Sequence, residues 1–286
     1  MAKTTSLDPA AFAAQADAIA TFPKPTRKDG PSGRFYEIDG ERLPSVTHIL
    51  QVIGKPALIN WAANQERTLC LDAAADFYLD CLKAQPMSRA SFVLSLESRI
   101  GKQKAHKREL DKAGEIGSQA HALIEWNLRQ SLGQRMGPEP RVVDAAQWAF
   151  MAFQDWANSV ALKPLYIEQT VFSKMHGYAG TMDLLALVNG VPTLIDFKTG
   201  KAIYAEAHLQ NVAYQSALVE MGHAGAQGGL IVRLPKVDSD PEFETAVVPP
   251  VADLLPVFLS VKRVWVWWFQ QEEAYRQRRA AMKETA

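Results

Sequence analysis

Three charged residues stand where their neighbours are apolar. Asp196 and Lys198 lie two apart in Thr193-Leu-Ile-Asp-Phe-Lys-Thr-Gly200, and side chains two apart on a strand point to one face. Asp183 lies in Thr181-Met-Asp-Leu-Leu-Ala-Leu187, and Asn189-Gly190 between the two stretches reads as a hairpin turn that folds one strand onto the other. Asp183 and Asp196 can then approach each other. Two carboxylates converging in a sheet call for a cation, and a site of that kind suits Mg²⁺ or Mn²⁺, held by carboxylates, water and substrate phosphate. Lys198 would reach the water or phosphate at that metal. The plainer reading of Asp-x-Lys alone is an ion pair on an edge strand. Asp183 weighs against it, because a second charge embedded in an apolar strand is expensive to bury unpaired.

Gln210 and Tyr214 are four apart, and so share a helix face, in His208-Leu-Gln-Asn-Val-Ala-Tyr-Gln-Ser-Ala-Leu218. They are either a polar helix edge or groups that orient the lysine and a phosphate. His121 sits among apolar residues in Gly117-Ser-Gln-Ala-His-Ala-Leu-Ile-Glu-Trp126, with Glu125 on the same face. It is either a satisfied core histidine or a neutral metal ligand. Glu168, in Leu165-Tyr-Ile-Glu-Gln-Thr-Val-Phe172, is open in the same way.

The elements that must position these groups follow from periodicity. Residues 165–172, 179–188 and 191–198 read as strands, 205–220 as a helix, 229–234 and 243–248 as strands, and 251–283 as a long helix. Residues 57–162 are spaced for helices, most clearly 115–130 and 141–160. Upstream, Arg34 to Leu43 reads as a hairpin turning at Asp39-Gly40, Ser45 caps a helix that Gly54 closes, and Pro9 to Ala20 suggests a short helix. The run Lys24 to Gly33 reads as a mobile linker. The order indicates an α/β core behind a helical N-terminal part, divided as a flexible segment 1–33, a hairpin and helical part 34–113, a core 114–275 and a tail 276–286.

Composition narrows the class. With 31 basic and 31 acidic residues the formal charge is zero, so an anionic partner must be met by a local patch. Cys70 and Cys81 are the two cysteines, too few for an iron–sulfur cluster and in keeping with a reducing cytoplasm. The apolar run 251–269 is broken by Asp253, Lys262 and Arg263, so no membrane span is expected.

The ordered set Gly-x-x-x-His121, Gly180-x-x-Asp183, Asp196-Phe-Lys-Thr199 and Gln210-x-x-x-Tyr214 resembles the RecB-type branch of the PD-(D/E)xK nucleases over residues 114–270. Arg34 to Leu50, with Lys55-Pro-Ala-Leu-Ile-Asn-Trp61, is similar to the start of phage-encoded exonucleases and of the mitochondrial genome-maintenance exonuclease in that branch. The resemblance implies a restriction-endonuclease-like central mixed sheet flanked by helices. It implies Mg²⁺ or Mn²⁺ ligands at His121, Asp183, Asp196 and the Phe197 carbonyl, and a lysine, Lys198, that activates water and stabilises charge. Gln210 and Tyr214 would support that lysine and the strand, and Glu168 would act at a second metal or its waters. Met182 and Ile195 stand where the named motif has proline, an ordinary variation in the branch.

The activity implied is metal-dependent DNA hydrolysis from ends, in recombination, repair or phage DNA metabolism, in a bacterial cytoplasm, with a single-strand-annealing or other recombination protein as the partner. An endonuclease and a non-catalytic DNA-end-binding module are the alternatives. Lys104, Lys107 and Arg108, which can share a helix face, are candidate phosphate contacts or simply solvated surface. His176, in the turn Lys174-Met-His-Gly-Tyr178, is a further DNA candidate, and Arg276-Gln-Arg-Arg279 a weaker one. Trp265, Trp267 and Trp268 are expected to pack against the sheet.

Overall fold

The computed structural model describes residues 25–30, 33–81, 87–223, 226–237, 239 and 242–284, so the expected helix at Pro9–Ala20 lies outside the described residues. Two compact units form, one from Met1–Ile53 with Gln119–Ala286 and the other from Gly54–Ser118.

The first unit holds a five-stranded sheet built from β4 (Leu162–Ser173), β5 (Tyr178–Val188), β6 (Val191–Lys198), β7 (Gly228–Arg233) and β8 (Glu244–Val248), in that order. All pairs are antiparallel except β6 with β7. A parallel pair needs a crossover, and α6 (Ala205–Glu220) supplies it. The sheet is therefore mixed and flanked by helices, as the alternation of periods implied. β6 is its central strand, and every residue from Pro192 to Phe197 is buried, the charged Asp196 included. The hairpin at Asn189-Gly190 forms with both residues at positive φ, the conformation that favours Asn-Gly there.

A second sheet of β1 (Thr26–Gly30), β2 (Gly33–Ile38) and β3 (Glu41–Pro44) turns at Asp39-Gly40 as expected. Where a mobile linker is expected, Thr26–Gly30 is a strand that pairs with β2 along its length. Cross-strand charges hold it, with Asp29 against Arg34 and Lys28 against Glu37. Behind it, Ser45 Oγ accepts the His48 amide to cap the five-residue helix α1 (Val46–Leu50). Tyr36, Leu43, Val46 and Ile49 share a core with Val171, Tyr178 and Met182, and Ser45 bridges to Ala179. The hairpin thus belongs to the sheet unit, which local sequence could not disclose because the contacts are more than 100 residues apart.

α5 (Asp144–Ser159) buries Ala146, Ala149, Phe150, Phe153 and Trp156, a stripe at helical spacing. α7 (Val251–Glu284) runs through the region expected to be a tail. Among the described residues no helix is long and apolar enough to cross a membrane. In the second unit, α2 (Pro56–Cys81) and α3 (Arg89–Ile100) meet through stacked Phe77 and Phe92, with Arg99 over Phe77 and paired to Asp80 at 2.5 Å. The Glu66 carboxylate accepts from the start of α4 (Ala105–Ser131) at His106.

Candidate metal centre and lysine relay

Asp183 sits where one ladder stops and its neighbour skips a pair. Between β5 and β6 the pairing runs from Val188↔Val191 to Leu184↔Ile195 and ends there, one step short of Asp183 and Asp196. The Asp183 carboxylate takes over from the backbone: Oδ2 accepts the Phe197 amide at 2.8 Å. On the other side, Ile167↔Leu184 and Gln169↔Met182 are paired, which puts Glu168 opposite Asp183. Glu168 has φ of 49°, a left-handed conformation that a non-glycine residue holds at a cost of about 1–3 kcal/mol. Such strain in the middle of a strand is sustained by its surroundings. Arg129 on α4 donates to the Ile167 carbonyl at 3.0 Å and pairs with Glu125 at 2.7 Å, fixing the backbone beside Glu168.

His121, from the part of α4 inside the sheet unit, completes the cluster. Its Nδ1 lies 3.7 Å from Asp183 Oδ1 and 3.8 Å from Glu168 Oε1. One ligand atom from each of the three lies within 4.8 Å of the others, so His121, Glu168 and Asp183 could hold a divalent cation. The Phe197 ring, wedged against Phe153 and Trp156, is an edge-on neighbour of the His121 imidazole and limits its movement.

Beside this group Asp196 Oδ2 meets Lys198 Nζ at 2.5 Å. Lys198 donates to Gln210 Oε1 at 3.1 Å, and Gln210 Nε2 donates to the Tyr214 hydroxyl at 3.3 Å. α6 is placed for this by two buried amides: Asn211 donates to the Leu194 carbonyl at 3.1 Å, and Gln215 to Asn211 at 2.7 Å. A side chain on Gly229 would collide with both, at 2.4 and 2.6 Å.

The electrostatics are those of anions gathered out of water. Burial, with the neighbouring Glu168 charge, raises the Asp183 pKa against the opposing pull of His121 and Lys198. Burial pushes Asp196 up to about 6. For His121 burial disfavours the imidazolium, but Asp183 and Glu168 outweigh it and lift the pKa to about 9. Burial likewise disfavours the Lys198 ammonium, and Asp196 and Asp183 more than compensate. Asp196 Oδ1 is buried with no hydrogen-bond partner among the described residues. An orphaned carboxylate oxygen beside a His–Glu–Asp group fits a hard divalent cation.

The residues named from sequence fall in several places. The structure gathers His121, Glu168, Asp183, Asp196, Lys198, Gln210 and Tyr214, and Phe197 enters through its backbone N–H. Asp196 lies outside the mutual His–Glu–Asp group and faces Lys198 instead. The edge-strand alternative for Asp196 and Lys198 does not hold, since β6 is central. Glu125 faces Arg129, not a metal group. Lys104, Lys107 and Arg108 are exposed in the second unit, Lys104 preceding α4. His176 is half-buried and parallel to Tyr178. Of the three tryptophans only Trp265 packs as expected, against Phe35, His48 and Phe269, while Trp267 and Trp268 are 56% and 55% exposed. Three in four residues cannot all face the core of a helix with 3.6 residues per turn. Arg129 was missed, because its Ile167 contact spans 38 residues.

No family model matches the chain. No curated protein matches it either. Among solved structures it is similar to an alkaline exonuclease (LHK-Exo) from Laribacter hongkongensis, at 13% identity and a TM-score of 0.31, over 57% of this chain and 92% of that one. The same exonuclease in complex with dAMP gives 13% and 0.36, over 59% and 96%. Likeness at this level carries no weight on function.

Proposed function

We propose that the protein is a metal-dependent deoxyribonuclease of the PD-(D/E)xK type, RecB-like branch, acting from DNA ends. The observation that carries this is one continuous arrangement: a His121–Glu168–Asp183 group that fits a divalent cation, adjoining the Asp196–Lys198–Gln210–Tyr214 chain. A cation held by those three residues, with Asp196 at its side, would neutralise phosphate charge and lower the pKa of a bound water. Lys198, kept cationic by Asp196 and Asp183, offers a proton-bearing group to a phosphate oxygen or to the attacking water. Gln210 and Tyr214 hold its ammonium in place. Asp183, tied to the Phe197 amide, keeps one oxygen toward His121.

The test incubates the protein with Mg²⁺ or Mn²⁺, end-labelled linear single- and double-stranded DNA, and a covalently closed circle. Progressive loss of the linear strands with the circle intact is expected, and Lys198→Ala should slow it at least about a hundredfold. Cutting of the circle would replace the exonuclease by an endonuclease. No metal-dependent cutting, or full activity in Lys198→Ala, would remove the nuclease reading.

A further inference from the structure

A groove of about 480 Å³ lies between the β4–β5 turn and α7. Met175 and His176 form one wall, and Lys262, Arg263, Trp267 and Gln270 the other. No carboxylate lines it. The side chains of Lys262 and Arg263 have no hydrogen-bond or ion-pair partner among the described residues, although many other charged side chains of this unit are paired, Lys174 with Asp39 among them. Lys262 is half-buried, and burial pushes its ammonium below the usual lysine range, so a cation here lacks a compensating anion. Trp267 presents more than half of its surface to solvent, and the half-buried His176 adds a second ring.

We propose that this groove is a secondary track for single-stranded DNA, with Lys262 and Arg263 taking phosphates and Trp267 stacking on a base. Charge complementarity selects an anionic occupant. The exposed indole beside the cations selects one that has flat faces as well, which separates a nucleic acid strand from an acidic peptide. A single strand is favoured over a duplex because stacking needs a splayed base. The choice of DNA rests on the nuclease reading, while the groove itself rests on its own residues. None of them belongs to the metal cluster, so the track would hold or guide the strand and leave the chemistry elsewhere.

Binding of a labelled thirty-nucleotide oligothymidylate, followed by anisotropy in chelator, tests the track without hydrolysis. Trp267→Ala should weaken binding about tenfold, and Tyr275→Ala, an equally exposed aromatic of α7 outside this groove, should leave it unaltered. Joint replacement Lys262→Gln and Arg263→Gln should flatten the slope of log K against log salt by about 1.4. Unchanged affinity and slope in the groove variants, equal loss in Tyr275→Ala, or equal displacement of the strand by poly-glutamate would overturn the proposal. Cutting by the wild type in Mn²⁺ with groove variants that bind like wild type removes the track and keeps the nuclease. Binding loss in the variants with no cutting by the wild type keeps the track and removes the nuclease.

Discussion

The Tyr214 ring occupies the space that a side chain on Gly180 would need: a Cβ there would lie 2.3 Å from Cε1 and 2.8 Å from the hydroxyl oxygen. Gly180 is therefore the seat of the last member of the Lys198–Gln210–Tyr214 chain, which explains a glycine three residues before Asp183.

Gly180→Ala should push the buried ring aside. Overpacking of this kind costs about 1–3 kcal/mol, and the displaced hydroxyl would release Gln210 from one of its two contacts. Urea unfolding should show the loss of stability, and hydrolysis a lower kcat with little change in KM. Wild-type stability and kcat would mean that the ring is not held against this glycine.

Arg129 should matter to metal affinity although it touches no ligand atom. Arg129→Met removes the donor to the Ile167 carbonyl and the partner of Glu125, so Glu168 loses the support for its strained backbone. Loss of an outer partner of this sort weakens a site about 10- to 100-fold. Calorimetric titration with Mn²⁺ reads the effect directly, and unchanged affinity would place the support elsewhere.

Divalent metal should stabilise the fold. Mn²⁺ at about a hundred times its Kd adds about 2.7 kcal/mol to the unfolding free energy. A rise in Tm is expected for the wild type and should vanish in Asp183→Asn and Glu168→Gln. An equal rise in both variants would show that the cation binds outside this cluster.

Acid should destabilise the protein through His48. Burial holds its folded-state pKa below 6.5, with a hydrogen bond to the Arg34 backbone opposing and Arg42 assisting the shift. As pH falls the unfolded chain takes the proton first, so this contribution is complete above the unfolded value and lost as pH drops through the folded one. Burial shifts His223 in the same direction, with the same sign. Between about pH 7.5 and about pH 5.5, the urea midpoint should fall less in His48→Phe than in the wild type. Parallel curves would deny His48 this role.

Periodicity made the strands and α6 legible because each repeats a local pattern: the 191–198 strand and the 205–220 helix agree with β6 and Ala205–Glu220. Lys28 and Asp29 were not legible as strand residues. A strand exposed on both faces has no apolar alternation, and only its pairing with β2 defines it. Trp267 and Trp268 depart in the opposite sense: their place in a helical apolar run, 261–269, reads as a face packed on the sheet, while the helix turns these two outward.

By itself the sequence determined which groups the molecule has for chemistry, and their spacing of two along β6 and four along α6 put Asp196 with Lys198 and Gln210 with Tyr214, because those are the repeats of strand and helix. Tertiary structure decided the rest. It ended the β5–β6 ladder at Leu184, set Glu168 in a left-handed conformation opposite Asp183, and brought His121 to both from 47 and 62 residues away in sequence. Those meetings depend on where ladders break and helices cross, which no local repeat encodes.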